Sequence, residues 1–191
     1  MEYESVEMIC PDLTRTPIYS LPENYGLRMY VAGDEVHWTD IHVDADGYST
    51  ITPELFAQQF GGDGLMLAER QFYLLGEGQR PIGTASAWPG WHDGDWGMVH
   101  WVAIRPEAQG KGLAKGLMTA VCQKFLALGT QKAHLGTANV RIPALNLYLH
   151  FGFHPYIRRQ RDWQVWQAVE PQLKEPIQWN SVHQYKEIDH E

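Results

Sequence analysis

Apolar residues recur along this chain in two rhythms. From Gly112 they fall at Leu113, Leu117, Met118, Val121, Cys122, Phe125 and Leu126, the spacing of one helix face, and the stripe stops at Gly129. "IPALNLYLHF" repeats that rhythm, opened by Pro143 and closed by Gly152. "TITPELFAQQF" predicts a shorter helix, with Thr52 as N-cap, Pro53 in the first turn and Leu55, Phe56, Gln59 and Phe60 on one face. Val36, Ile41 and Val43 predict another, starting near Asp34.

The second rhythm is that of strands. Tyr25–Val31 reads as a first strand after an irregular, proline-punctuated lead-in over residues 1–23. Phe72–Leu75 and Ile82–Trp88 read as a hairpin around "GEGQRP", followed by a second turn, "PGWHDGDWG". Met98–Ile104 is nearly continuous in apolar residues, which predicts a central strand buried on both faces. "AHLGT" predicts a short strand, "FHPYIRRQ" and "DWQVWQAV" two last strands, and the polar tail from Glu170 a segment that either packs on the surface or frays. The order predicts a single α/β domain over 1–191 with a mixed sheet, its motif-bearing part at about 70–160.

Composition narrows the setting. The 191 residues are 44% apolar and 20% charged, enough for one globular core. The formal net charge of -8 argues against nucleic acid as a partner. Cys10 and Cys122 have no metal-ligand spacing, and an intracellular, cytoplasmic setting is the expectation. The acidic N-terminus does not read as a signal peptide, and no stretch nears the roughly 18 apolar residues of a membrane span.

The chemistry gathers at "RPEAQGKGLAKGLM", Arg105–Met118. A strand ends there in a glycine-rich turn that opens a helix. The first amides of a helix lack intrahelical partners and the dipole adds positive potential. Glycine lets an anion approach the backbone, and Lys111 and Lys115 add charge. A phosphate or pyrophosphate cradle is the reading. It is not a P-loop, because Gly110-Lys111 is followed by Gly112 rather than Ser or Thr. It is not the dinucleotide fingerprint, because Lys115 stands where the third glycine belongs.

The stretch resembles the acyl-CoA loop of the GNAT superfamily of N-acyltransferases, R/Q-x-x-G-x-G/A, at Gln109, Gly110, Lys111, Gly112, Leu113 and Ala114. The family's second block, A-x-x-L-Y-x-x-x-G-F, is matched at Ala144, Leu147, Tyr148, Gly152 and Phe153. The two blocks cover about residues 98–155, in the family's order. The resemblance implies the GNAT fold, with a mixed, mostly antiparallel sheet whose fourth and fifth strands splay around acetyl-CoA. It implies that backbone groups at Val102, Ala103 and Ile104 meet the pantetheine and acyl carbonyl, and that amides of Gly110–Lys115 hold the pyrophosphate. It implies direct attack of a primary amine on the thioester, with Tyr148 protonating the departing thiolate. A phenol, with a reference pKa of about 10, is protonated at neutral pH and able to donate.

An alkylamine of similar pKa must lose a proton before it attacks, and His100 is the candidate base. Residues 100, 102 and 104 share a face on a regular strand, and the arylalkylamine branch of the family uses a histidine here in a proton relay. Arg141 stands where many members carry an asparagine that meets CoA. The nearest asparagine is Asn139, and Arg141 is an alternative phosphate contact.

Each residue also has a plain structural account: a solvated glycine turn, a core tyrosine, a hydrogen-bonded strand histidine. Trp88, Trp91, Trp96 and Trp101 read as core aromatics, with Trp88 to Trp96 alternatively walling an acceptor pocket. Asp93 and Asp95 read as turn residues or as attractors of a cationic amine. Glu69 and Glu77 are spare bases. His150 and His154 have no clustered carboxylates, so no metal is expected. The expectation is an acetyl-CoA-dependent N-acetyltransferase acting on a small-molecule amine, without metal, nucleic acid or membrane, as a monomer or homodimer. The alternatives are an acyl-CoA-binding sensor without turnover and a protein N-terminal or lysine acetyltransferase.

Overall fold

The proline and glycine signals that bound the helices hold in the computed structural model, which describes residues 2–91, 95–179 and 182–184. Asp93 therefore lies outside the described residues. The chain divides into two compact units, one from the described residues of 18–89 and 98–129, the other from those of 1–17, 90–97 and 130–191.

The first unit carries strands β2 (Gly26–Met29), β3 (Gln71–Leu75) and β4 (Pro81–Pro89), and most of β5 (Trp96–Ile104). They neighbour one another in that order. β2 and β4 both run antiparallel to β3, with a register shift at Leu74/Leu75. Helix α1 (Glu35–Ala45) follows Asp34, and α2 (Pro53–Phe60) starts at Pro53 as its proline predicts. The Thr52 side chain, however, makes no cap bond. A further helix, α3 (Gly64–Arg70), escapes the apolar pattern because only Leu67 is buried on it. Its start is set by Asp63, whose carboxylate accepts from the Leu65 and Met66 amides, each at 3.0 Å.

Helix α4 (Leu113–Ala127) buries the predicted stripe, with Leu117, Met118 and Val121 fully enclosed. The core between α1, α2 and the sheet is aromatic. Trp38, Phe56, Phe60 and Tyr73 are buried together, with Trp88 and Trp101 against them.

β5 departs from its expectation. Of its nine residues only Gly97, Val99 and Ile104 are buried, the rest being half-buried. Trp101 adopts a positive φ of 50°, so strict side-chain alternation breaks within the strand. The shared face of residues 100, 102 and 104 rested on that alternation and does not follow once it is interrupted.

The second unit corrects three expectations. Residues 1–23 are not all irregular: β1 (Ser5–Cys10) pairs antiparallel with β6 (Lys132–Ala138) on one side and β7 (His154–Ile157) on the other. "DWQVWQAV" is helical within α6 (Gln160–Val169), whose buried Val165, Trp166 and Val169 follow a helix period, with Asp162 accepting from the Arg159 amide at the start. The tail carries β8 (His183–Gln184), parallel to β7, and Glu170 accepts from the Ile177 amide and the Trp179 indole. Helix α5 (Ile142–His150) appears as predicted, and Gly152 closes it at φ 80°. The strands are thus mixed, mostly antiparallel. No described helix is long and apolar enough to cross a membrane. Cys10 and Cys122 are both buried, and burial pushes the Cys10 thiol up to about 11, which leaves it unreactive.

Candidate active site

In the first unit, β5 runs into the glycine turn. A 3-10 turn over Pro106–Ala108 follows Arg105, and the Gln109 side chain folds back to donate to the Ile104 carbonyl at 2.8 Å. Gly110 and Gly112 take φ of 75° and 78°, a region costly for residues with a Cβ, and Gly112 is the N-cap of α4. A Cβ built on either meets nothing within 4 Å. The glycines are therefore required by the backbone turn, and the space beside them is open. Gly110, Lys111 and Gly112 are exposed, Ala114 is half-buried, and Leu113 is sunk in the core as the anchor of the first turn.

Lys115 departs from its expected place. Its ammonium lies 4.7 Å from the centre of the Tyr19 ring, and its amide already donates to Gly112 at 3.1 Å. The lead-in around Tyr19 lies along α4: the Tyr19 amide donates to Thr119 at 3.0 Å, and a Cβ at Gly116 would come within 2.5 Å of Leu21. Lys111 is the cation best placed to serve the turn.

His100 is half-buried, edge-on to Phe60 at 5.2 Å between ring centres and 6.1 Å from Trp101. The Trp101 indole donates to Gln59 at 3.0 Å and meets Trp38 edge-on at 5.0 Å. The structure adds Gln59, Trp38 and His42 to the surroundings of β5. None was legible as such, because each sits on a helix far along the chain. Val102 and Ala103 are half-buried on the strand, and Ile104 is buried.

In the second unit, Tyr148 is buried on α5, 7% exposed, its ring 6.2 Å from that of Phe153. Desolvation pushes its phenol up to about 12, while the positive charge of Arg141 works in the opposite direction. Arg141 precedes α5 and its amide donates to Ala138 at 3.0 Å. Asn139 is committed elsewhere: buried, it accepts from the Glu4 amide and donates to the Glu2 carbonyl, both at 2.9 Å. Its side chain ties the start of β1.

A buried histidine that sequence reasoning passed over also lies in this unit. His134 on β6 is 6% exposed and stacks on Trp91 at 3.9 Å. A Cβ at Gly90 would lie 2.6 Å from its Nε2, and that nitrogen finds no hydrogen-bond partner among the described residues. Desolvation pushes its pKa down to about 4. The unfolded chain then takes up the proton first, so the stability gained from the neutral ring is present above about pH 6.5 and is lost as pH falls toward 4, by roughly 3 kcal/mol. The melting temperature of the wild type is expected to fall more steeply between pH 6.5 and 4.5 than that of His134→Leu. Parallel curves would contradict this.

Among the described residues no group of three or more His, Cys, Asp or Glu side chains is placed to hold a metal ion.

A sequence profile of the Acetyltransferase (GNAT) family matches residues 32–153. A mycothiol acetyltransferase from Actinosynnema mirum is 32% identical over 137 residues, which is 70% of this chain and 46% of the relative. The chain thus spans less than half the length of that protein. A solved GCN5-related N-acetyltransferase from Sphaerobacter thermophilus aligns over 80% of this chain and 50% of its own, at 22% identity and a TM-score of 0.64. The ribosomal-protein-S18-alanine N-acetyltransferase from Escherichia coli aligns over 72% of this chain and 86% of its own, at 17% identity and a TM-score of 0.56. These two likenesses carry the fold, an α/β fold with a mixed sheet.

Proposed function

The chain belongs to the GNAT acetyltransferase family, and from that premise we propose that it transfers an acetyl group from acetyl-CoA to the amine of a small molecule by direct attack. The observation that carries this reading is the double-glycine turn at the mouth of α4, open on the side of Gly110 and Gly112. Its geometry suits a pyrophosphate: backbone amides at the positive end of a fifteen-residue helix, no Cβ in the way, and Lys111 exposed beside it.

In the proposed reaction the amine nitrogen bonds to the acetyl carbon as the carbon–sulfur bond breaks. Backbone groups of Val102–Ile104 orient the thioester and its carbonyl. His100 takes the proton that the ammonium must lose, and Tyr148 supplies one to the departing thiolate. Burial keeps the Tyr148 phenol protonated through neutral pH and also makes it a weaker acid than an exposed tyrosine. A CoA thiolate, with a reference thiol pKa of about 8.5, therefore draws on a hydrogen bond from the phenol more than on full proton transfer. Arg141, by favouring the phenolate, moderates that weakness.

The test is release of CoA thiol from acetyl-CoA over a panel of aromatic amines, polyamines, amino sugars and peptides with free N-termini. Release with a small amine is expected. Release confined to peptides would move the acceptor to proteins. None with any amine, from protein that binds acetyl-CoA, would contradict turnover.

A further inference from the structure

The open turn poses a mechanical problem. A Cβ on either glycine meets nothing within 4 Å, so the turn is held from its two ends, by Leu113 sunk in the core on the helix side and by Arg105 on the strand side. The strand-side end is the more heavily tied. There, Arg105 is 7% exposed, an unusual depth for a guanidinium. Its backbone amide donates to the Ile82 carbonyl at 2.8 Å, its Nε to the Pro81 carbonyl at 3.4 Å, and its carbonyl accepts from the Ala108 amide at 2.9 Å. Its terminal nitrogen Nη1 makes an ion pair with the carboxylate of Asp44. One residue thus fastens the start of β4, the last turn of α1 and the first turn of the loop.

Asp44 is an odd carboxylate for its place. It stands in the last turn of α1, at the negative end of the helix dipole, where an anion is disfavoured. A second ion pair ties the loop to the β3–β4 turn, Arg80 with Glu107 at 3.7 Å, but both side chains are more than half exposed and such pairs hold little.

We propose that Arg105, clamped by Asp44, is the positioning residue that fixes the glycine turn for CoA, so that helix α1 sets the affinity for the acyl donor without touching it. This rests on the turn being the pyrophosphate site. A guanidinium matches a carboxylate and carbonyls in one plane, which a lysine ammonium does not reproduce. Loss of the clamp leaves the turn free to shift, and a misplaced cradle weakens binding before it slows the chemistry.

The experiment is CoA titration by calorimetry, with steady-state kinetics, on the full chain and on Asp44→Asn, Asp44→Glu, Arg105→Lys and Arg80→Ala. Asp44→Asn changes a half-exposed side chain to its isostere, so folding is kept and is checked by melting temperature. The expected result is a Kd for CoA and a KM for acetyl-CoA each raised about tenfold in Asp44→Asn and Arg105→Lys, with a much smaller change in kcat. Asp44→Glu restores most of the affinity, and Arg80→Ala binds as the wild type does. Wild-type affinity in Asp44→Asn, or equal losses in Asp44→Asn and Arg80→Ala, would overturn the clamp while leaving the pyrophosphate reading intact. A folded wild type that binds no CoA would overturn that reading, and the clamp with it.

Discussion

Gly112→Glu is expected to remove CoA binding from the calorimeter's range, with Kd raised at least about a hundredfold. Two effects combine. Gly112 holds a φ of 78°, where a side chain costs about 1–2 kcal/mol. The new carboxylate then faces the pyrophosphate at the N-terminus of α4, and at an effective dielectric of about 20 two like charges about 6 Å apart repel by roughly 3 kcal/mol. Gly112→Ala separates the two. It carries the strain without the charge and meets no neighbour within 4 Å, so it should fold with a modest loss of stability and keep measurable affinity. Equal affinities for the alanine and glutamate variants would mean that no anion approaches this turn.

Tyr148→Phe is expected to lower kcat about a hundredfold with little change in KM for acetyl-CoA, the pattern of an interaction made mainly in the transition state. The pH profile sharpens the test. Because burial pushes the phenol up to about 12, it stays protonated across the working range, so a fall in kcat on the alkaline side below pH 10 does not come from Tyr148. Any such limb should survive in Tyr148→Phe. An unaltered kcat in the variant removes Tyr148 from proton donation and leaves it as a core aromatic beside Phe153.

These two residues stand in the stretches that the sequence made most readable. Proline at the start of α2 and α5, glycine after α4 and α5, and an unbroken apolar stripe on α4 are local signals, and each marks a boundary near the observed one. The failures lie where local signals mislead. β1 interleaves Ser5 and Glu7 with its buried residues and ends against Pro11, so it looks like loop although β6 and β7 flank it. α6 is rich in tryptophan and valine, which favour strands, and its true period shows only in which residues are buried. In β5 the positive φ falls on Trp101, where no glycine announces it. The clamp was out of reach for another reason: Asp44 and Arg105 are separated by 61 positions, and an arginine between a strand and a proline looks solvated until its burial is known. The two glycines of the turn were legible because its positive φ demands glycine at the residue itself.

Everything proposed above depends on acetyl-CoA binding at the glycine turn, Gly110–Gly112. Titration of acetyl-CoA into the purified wild type measures it most directly. Saturable one-to-one binding that weakens as salt rises is expected, since helix amides and Lys111 are proposed to hold the pyrophosphate. A correctly folded protein giving no heat and no thermal stabilisation with acetyl-CoA would contradict it.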